Sequence, residues 1–397
     1  MHISHLSLTN FRNYAQLELA LSPGLVVLWG GNGEGKTNFL EAIYFLATSR
    51  SPRATTEGEL VHWDVWNQDL PVTRLTAQVH RSDGEVRLEV ALRGLSKGPE
   101  REGEDAPRLF DHGLWVQKHI RVNGLPTRAA DLMGRLIVVL FNAPDMDMVG
   151  GAPTLRRRCL DVLNSQADVR YLRTLQRYQR VVTQRNYLLR ALREGQAARG
   201  ELDFWDEELV KNGAYLVARR HQTLAALNPL TQEMYRSLSP QEGELRLVHL
   251  CPLVEETAGP DNENPSSIQD RFRKQLDKAY PREVAQGMTL VGPHRDDFLF
   301  LGGGRPMGLF ASRGQQRALT LAFKLAEAQL LKRLTGELPV LLLDDVLSEL
   351  DAPRRRHLLE AIAPYHQVFI TTTDVAQAEA AGISQARLLE VEGGNIP

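Results

Sequence analysis

A glycine-rich loop at residues 30–37, which reads GGNGEGKT, constrains the fold of this chain more than any other feature. A continuous apolar run precedes it at residues 25–29, and apolar side chains at helical spacing follow it at residues 39–46. A buried strand that leads through such a loop into a helix is the setting that the pattern G-x-x-x-x-G-K-[ST] requires for phosphate binding. The loop N–H groups and the positive end of the helix then face the anion. The sequence therefore predicts a P-loop.

Two side chains of the loop are suited to act on a nucleotide. Lys36 can reach the β- and γ-phosphates, and the Thr37 hydroxyl can ligate Mg²⁺. The pattern thus implies ATP and Mg²⁺ as cofactors, with Lys36 also acting in catalysis. The predicted nucleotide-binding residues are Gly30, Gly31, Asn32, Gly33, Glu34, Gly35, Lys36, Thr37 and Asn38.

An acidic element accompanies the P-loop. Residues 340–343 form the apolar run VLLL, which ends in Asp344 and Asp345. Asp344 is predicted to hold Mg²⁺ through its water shell, and Asp345 to orient or deprotonate the attacking water as the catalytic carboxylate. The alternative is a strand that simply ends in a polar turn, and the presence of a P-loop in the same chain disfavours it.

The sequence SRGQQ at residues 312–316 indicates the class of P-loop protein. It resembles the signature S-x-G-Q of ABC-type ATPases, in which the signature of one subunit caps the γ-phosphate bound by a second subunit. Ser312, Gly314 and Gln315 are therefore predicted to act in trans. The same four residues could instead simply cap a helix.

The same resemblance assigns two further positions. Asp351 is predicted to be a D-loop residue, and Thr373 is predicted to be the switch residue. Many ABC-type ATPases have a histidine at the switch and a glutamate where Asp345 stands. Slow ATP hydrolysis is therefore expected of this chain.

The interval between the P-loop and the signature is much longer than in the ATPase subunits of membrane transporters. The extra chain is largely a helical insert at about residues 154–282, which begins with an arginine-rich segment. We expect residues 1–153 and 283–397 to form an ATPase domain from two lobes, and residues 154–282 to form a helical arm inserted between them. The predicted fold class is α/β: an ABC-type P-loop ATPase head, with a mixed sheet and flanking helices, that carries an inserted α-helical arm.

Several other segments resemble the RecF family of SMC-like ABC-type ATPases. The resemblance implies a weak ATPase that binds DNA, dimerises on ATP and acts at gaps or at junctions of single- and double-stranded DNA. It further implies work in DNA repair, replication restart and the SOS response, with RecO and RecR as partners in helping to load RecA. The segments that carry it, besides residues 30–38, are residues 10–14 (NFRNY), 184–186 (QRN), 290–297 (LVGPHRDD), 311–317 and 341–351.

Three other functions are weighed against this one. An ABC subunit that docks on a membrane permease would lack both the arm and its basic stripe. A structural SMC-like tether would need hundreds of heptad residues, and an ATPase that regulates a nuclease would need an attached carboxylate-rich domain. No apolar run approaches the ~18 residues of a membrane-spanning helix, so a cytoplasmic protein without membrane contact is expected.

Arginines dominate the predicted arm. Arg170, Arg173, Arg177 and Arg180 step by three or four residues and so share one helix face. Guanidinium groups suit phosphate, and such a stripe would bind duplex, gapped or junction DNA without sequence specificity. A solvated helix face is the alternative, and the scarcity of acidic residues disfavours it. Further candidates for DNA contact are Arg156, Arg157, Arg50 and Arg53.

Some residues carry weaker or open assignments. The net charge of −2 excludes a chain that is basic throughout but allows a basic patch. Cys159 and Cys251 form neither a disulfide framework nor a zinc knuckle, and buried small apolar residues are expected instead. His294 and Arg295 could serve the nucleotide or the joint between domains. No glutamine follows the apolar run at residues 136–141, so the Q-loop has no assigned position.

A few local predictions concern single segments. Alternation predicts strands at residues 288–291 and 298–300, and a helix is expected to end before Pro229. Residues 96–108 are predicted to form an exposed loop. Residues 255–267, which are acidic and rich in proline and asparagine, are predicted to be disordered.

Overall fold

The computed structural model describes residues 1–66, 68, 70–95, 115–239, 243–254, 265–348, 350–374 and 386–397. The predicted loop at 96–108 and residues 255–264 of the predicted disordered stretch lie outside these ranges. The chain divides into two compact units, one formed by Met1–Ala143 with Leu331–Pro397 and the other by Pro144–Leu330. The predicted arm, residues 154–282, lies wholly within the second unit, which also includes residues 144–153 and 283–330.

The first unit contains two sheets. One is six-stranded and antiparallel, in the order β2-β1-β4-β5-β6-β7, and the other is five-stranded and parallel, in the order β14-β3-β13-β12-β8. Its strands, numbered along the whole chain, are β1 (His2–Phe11), β2 (Tyr14–Ala20), β3 (Gly24–Trp29), β4 (Val72–Arg81), β5 (Gly84–Gly94), β6 (Val116–Val122), β7 (Leu125–Pro126), β8 (Val138–Phe141), β12 (Val340–Leu343), β13 (Gln367–Thr372) and β14 (Arg387–Glu390). Its helices are α1 (Lys36–Thr48), α2 (Ala129–Leu132) and α9 (Ala352–Ile362).

The parallel sheet forms from the continuous apolar runs of the sequence. Strands buried on both faces need apolar side chains on both, which is why β8 and β12 are buried throughout. Helix α1 contacts β4 and β5 of one sheet and β8 and β13 of the other, and its Phe39 ring lies 5.7 Å from the Phe369 ring. The carboxyl ends of β3, β12 and β13 therefore lie at one edge of the sheet, where α/β folds bind their ligands.

The second unit is mainly helical. Helices α4, α5 and α6 pack together around a core that includes Tyr178, Leu209, Val217 and Phe272. Gly213 permits their close approach, since a Cβ there would lie 2.5 Å from the Phe272 ring. The helices are α3 (Pro153–Ala167), α4 (Val169–Arg193), α5 (Asp203–Leu238), α6 (Pro265–Gln286), α7 (Met307–Phe310) and α8 (Arg313–Thr335), and the antiparallel strands are β9 (Leu245–Leu250), β10 (Asp297–Gly302) and β11 (Arg305–Pro306).

The α/β fold class is confirmed, with the strands of the first unit divided between a parallel and an antiparallel sheet. Two local predictions are wrong. Residues 288–291 form no strand, because side chains rather than a neighbouring strand bind their backbone. Helix α5 does not end before Pro229, because Leu230 and Tyr235 beyond it are buried against the second unit, and this packing offsets the proline. Residues 265–267 begin α6.

Candidate functional site

The P-loop lies between β3 and α1, as its motif requires. Gly30 has φ +150°, and a Cβ on it would lie 2.3 Å from the Val391 carbonyl oxygen. The buried Lys36 amine donates to the carbonyl oxygens of Gly30 at 2.8 Å and Gly31 at 2.5 Å. Burial lowers the pKa of Lys36, while the nearby carboxylates of the site oppose this shift. The carbonyl oxygens of the loop therefore bind the amine of its own lysine.

The turn between β1 and β2 braces this loop. The Asn13 amide donates to the Glu34 carbonyl oxygen at 2.7 Å and accepts from the Asn38 amide at 2.7 Å. The Tyr14 hydroxyl donates to the Gly35 carbonyl oxygen at 3.0 Å. In the sequence, Asn13 and Tyr14 stand out only as part of a family resemblance, whereas in the structure they hold the P-loop in position. Asn32 and Gly33 are exposed at its tip, between Gly31 and Glu34.

The acidic pair lies beside the P-loop. The Thr37 hydroxyl donates to both Asp344 carboxylate oxygens, at 2.9 and 3.0 Å. Thr371, at the end of β13, donates to the same carboxylate at 2.7 Å and accepts from the Asp345 amide at 2.8 Å. Asp345 takes φ +50°, a left-handed conformation that re-aims its side chain after the strand. The predicted switch residue, Thr373, is exposed beyond this network, so Thr371 is a member that sequence analysis missed.

The Thr37 and Asp344 oxygens fit a magnesium ion. Two oxygens on one edge of an octahedral Mg²⁺ site lie about 3 Å apart when each is ~2.1 Å from the ion. The observed separations of 2.9 and 3.0 Å meet that requirement. The two side chains can therefore bind the ion directly, or one of them can bind it through a water molecule.

The buried carboxylate of Glu41, on α1, is bound by three neighbouring side chains. Glu41 accepts from Arg12 at 2.8 and 2.9 Å, from Arg53 at 2.6 Å and from Ser51 at 2.5 Å. Burial alone would raise the pKa of Glu41, but the hydrogen bonds from Arg12, Arg53 and Ser51 outweigh it and lower the pKa. Arg53 is thus paired with a carboxylate next to the P-loop helix, which argues against DNA contact there. Arg50 is exposed.

The predicted signature residues lie at the start of α8, and the predicted D-loop residue lies at the start of α9. The Ser312 hydroxyl accepts from the Gln315 amide at 3.2 Å, while the Gln315 side chain accepts from the Ser312 amide at 2.7 Å. This reciprocal pair is a capping box at the start of α8, and Gly314 lies in its first turn. Asp351 caps α9 by accepting from the Arg354 amide at 3.0 Å.

The candidate DNA-binding arginines fall into two groups. Arg156 is buried, with 4% of its surface exposed, and makes two hydrogen bonds to the Asp297 carboxylate at 2.7 and 2.8 Å. Arg157 donates to the Asp296 carbonyl oxygen at 2.7 Å, and burial lowers its pKa. We therefore assign Arg156 a structural role, because a guanidinium held in this way cannot reach a phosphate.

The second group lies exposed along α4, in which arginine is the only charged residue type. The Arg170 guanidinium stacks 4.7 Å from the Tyr215 ring centre, and Arg177 pairs with Glu208 at 2.7 Å. Arg177 and Arg180 line an open groove of about 780 Å³ together with Phe204, which is 63% exposed. Arginines beside an exposed aromatic ring suit a nucleic-acid backbone and its bases. Arg173 is exposed on the same helix.

His294 and Arg295, whose roles the sequence leaves open, both contact the Thr289 carbonyl oxygen within the second unit. His294 accepts from the Tyr178 hydroxyl at 2.7 Å and donates to the Thr289 carbonyl oxygen at 3.0 Å. Burial lowers the pKa of His294 to about 4, so the ring is neutral and this tautomer satisfies both contacts. Arg295 donates to the same carbonyl at 3.2 Å.

Comparison with known proteins places this architecture in a class. The RecF/RecN/SMC N terminal domain family matches residues 2–394. An Smc head domain from Pyrococcus furiosus, with an extended coiled coil, shares the fold at a TM-score of 0.52 and 14% identity, covering 100% of this chain and 95% of that one. The chain is therefore a member of the SMC-like family of P-loop proteins.

Relatives with higher sequence identity show the family within this class. The chain is 44% identical to the DNA replication and repair protein RecF of Roseiflexus castenholzii, covering 100% of this chain and 99% of that protein. The identity to RecF of Halalkalibacterium halodurans is 35%, with 100% and 99% covered. A solved structure of the recombination mediator protein RecF-ATP in the RecFOR pathway matches at a TM-score of 0.84 and 27% identity, with 100% and 97% covered. The chain belongs to the RecF family of DNA replication and repair proteins.

In the described part of the chain, none of the helices has both the length and the apolar content that crossing a bilayer requires.

Proposed function

We propose that this chain is an ATP-dependent DNA-binding protein of recombinational repair and replication restart. ATP binding drives dimerisation on DNA at gaps or at single- to double-strand junctions, and slow hydrolysis releases the dimer. The contact of Thr37 with Asp344 at 2.9 Å, beside the buried Lys36, carries the proposal, because it joins the P-loop to the acidic strand. ATP binding is further supported by the RecF-ATP relative.

The residues of the site divide the work on the nucleotide. Lys36 exchanges the carbonyl oxygens of Gly30 and Gly31 for the β- and γ-phosphates. Thr37 and Asp344 would hold Mg²⁺, and the bound ion would supply positive charge to offset the negative charge that develops in phosphoryl transfer. Asp345 orients or deprotonates the attacking water. Its carboxylate is one methylene shorter than the glutamate of many ABC-type ATPases, so the proton acceptor is less well placed and hydrolysis is slow.

The signature acts from a second copy of the chain. In the capping box the Ser312 oxygen accepts a hydrogen bond from the Gln315 amide, which leaves the Ser312 O–H able to donate. Capping and recognition are therefore compatible roles. Ser312, Gly314 and the positive end of α8 would bind the γ-phosphate held by the partner copy. Dimerisation then depends on ATP, because the phosphate bridges the two copies.

DNA binding is assigned to α4 and its groove. Arg170, Arg173, Arg177 and Arg180 would neutralise phosphates without reading sequence. Phe204 would stack on a base where the DNA is single-stranded, which favours gaps and junctions. RecO and RecR are the proposed partners in helping to load the recombinase, on the strength of the RecFOR relative.

Steady-state ATP turnover, measured against protein concentration with and without gapped duplex DNA, tests the proposal. Turnover per subunit is expected to rise with concentration and to rise again with DNA. Lys36→Met serves as the blank, and Lys332→Met, which removes an exposed lysine from the end of α8, as the matched control that retains turnover. A rate that is independent of both concentration and DNA would exclude the dimer switch.

An ATPase subunit of a membrane transporter is the second function that sequence analysis raised. It is not favoured, because RecF proteins match this chain over its whole length and the second unit carries the arginine-rich α4. Stimulation of turnover by gapped DNA would separate the two functions directly.

A further inference from the structure

Three potential metal ligands lie together at the paired ends of β9 and β10. His249 and Cys251 are two residues apart, so they face the same side of an extended chain. Asp297 pairs with Leu250 in this sheet, which places the preceding Asp296 opposite Cys251. The imidazole, thiol and carboxylate are therefore brought together by strand register, and none of them belongs to the nucleotide site.

The polar atoms of this cluster are buried and unsatisfied. The side chains of His249 and Asp296 are 5% and 4% exposed. Within the part of the chain that the structure describes, neither ring nitrogen of His249 nor Oδ2 of Asp296 has a hydrogen-bond partner. Burying such groups without a partner is costly. The closeness of His249 Nε2 and Asp296 Oδ2 in the interior points to a ligand that binds both atoms.

We propose that His249, Cys251 and Asp296 bind a zinc ion that holds the end of β9 to the start of β10. One ligand atom from each residue lies within 4.8 Å of the other two. The His249 Nε2 to Asp296 Oδ2 distance of 3.7 Å is too long for a hydrogen bond. It is slightly longer than the edge between a nitrogen and an oxygen ligand in a tetrahedral zinc site, about 3.3–3.5 Å for zinc bonds of ~2.0–2.2 Å, so the two side chains need to approach by only a few tenths of an ångström.

The ligand set favours zinc over a hard cation. Imidazole nitrogen and thiolate sulfur are ligands of borderline-soft metals, whereas Mg²⁺ and Ca²⁺ prefer oxygen. The thiol proton of Cys251 would leave to solvent as the metal–sulfur bond forms. Water or His221, whose ring on α5 lies 5.8 Å from the His249 ring, would complete four-coordination.

A neighbouring arginine offers the competing explanation. Arg220 lies 3.7 Å from Asp296 Oδ2 and could serve as its counter-charge. Its donors, however, are directed to Asp161 at 2.7 Å, to the Tyr171 hydroxyl at 3.1 Å and to the Pro293 carbonyl oxygen. Arg220 therefore leaves Oδ2 without a hydrogen bond. Its presence also does not explain why the His249 ring is buried beside Cys251.

Cobalt substitution in the full-length protein tests the site, since Co²⁺ occupies zinc sites and reports a thiolate ligand by its near-ultraviolet charge-transfer absorption. The chelator-treated chain is titrated with Co²⁺ alone and then with Zn²⁺. We expect the absorption to saturate at one equivalent and to vanish as Zn²⁺ displaces Co²⁺. The oxygen ligands of the P-loop cannot produce this band, so the nucleotide site does not interfere.

Two variants and a matched control assign the ligands. Cys251→Ala is expected to abolish the band, and Asp296→Asn, which keeps the volume, to lower Co²⁺ affinity at least about tenfold. Cys159→Ala removes the other buried cysteine and should retain the band. Circular dichroism checks that each variant is folded. No thiolate band in the folded natural chain would overturn the proposal, as would a band that persists in Cys251→Ala or is lost in folded Cys159→Ala.

Discussion

The P-loop site of the first unit and the Arg185 cluster of the second unit bury charged groups in different surroundings. In the first unit the buried Lys36 and the partly buried Asp344 lie at the carboxyl edge of the parallel sheet, beside exposed loop residues that a ligand can reach. In the second unit the buried Arg185 is enclosed by Asp206 at 2.6 Å and Glu283 at 2.7 Å. Charge that is held for a ligand keeps a route to solvent, whereas charge that is held for the fold is closed off by its partners.

The same difference appears within α4. Arg185 is 1% exposed and donates to two carboxylates and to the Thr289 hydroxyl, while Arg180, five residues earlier, is exposed in the groove. Composition alone treats the two arginines alike. The partners of Arg185 hold it in the fold, whereas Arg180 stays exposed, where we propose that it contacts DNA.

The largest expected effect comes from breaking the buried network. Arg185→Met leaves Glu283 and Asp206 without their partner, and we expect it to lower the free energy of unfolding by about 3–5 kcal/mol. Arg180→Met should change it by less than about 0.5 kcal/mol, because its side chain is exposed. Urea unfolding followed by circular dichroism measures both. Equal losses in the two variants would contradict the division of α4 into structural and DNA-facing arginines.

The next effect concerns His294, whose pKa is lowered from 6.5 to about 4 by burial. The unfolded chain binds a proton below pH 6.5 that the folded chain refuses until about pH 4. Stability from this group is therefore complete above pH 6.5 and is lost as pH falls towards 4, by about 3 kcal/mol in all.

Unfolding free energies measured between pH 7 and pH 4 check this expectation. His294→Gln should show a shallower loss than the natural chain, whereas His119→Gln, an exposed position on β6, should follow it. Parallel curves for the His294→Gln variant and the natural chain would show that His294 is not the group that titrates.

In the first unit the sharpest test is Asp345→Asn. An amide cannot accept the proton of the attacking water, so turnover is expected to fall about a hundredfold or more. ATP affinity should stay within a few-fold, since Lys36 and Thr37 are unchanged. Asp83→Asn, on the turn between β4 and β5, is the matched control. Retained turnover in Asp345→Asn would move the water-positioning role to another residue.

The sequence predicts the first unit better than the second, for a physical reason. The P-loop and the acidic pair are each contiguous, and parallel pairing of apolar strands brings their ends together. The hydrogen bond from Thr371 to Asp344 was missed because it depends on β13 lying beside β12. Residues 288–291 were mistaken for a strand because Asn186, distant in sequence, and Glu283, on the preceding helix, bind their backbone in place of a neighbouring strand.

The smallest effect is a change in salt dependence, and it separates arginines that differ only in their partners. Removing one arginine–phosphate interaction with duplex DNA should reduce the slope of log affinity against log salt by about 0.9. Arg180→Gln is expected to show most of that change, and Arg177→Gln less, because Glu208 already neutralises Arg177 at 2.7 Å. Arg87→Gln, an exposed arginine on β5, is the control. An Arg180→Gln slope equal to that of the control would remove α4 from the DNA-binding surface and leave its arginines as a solvated helix face.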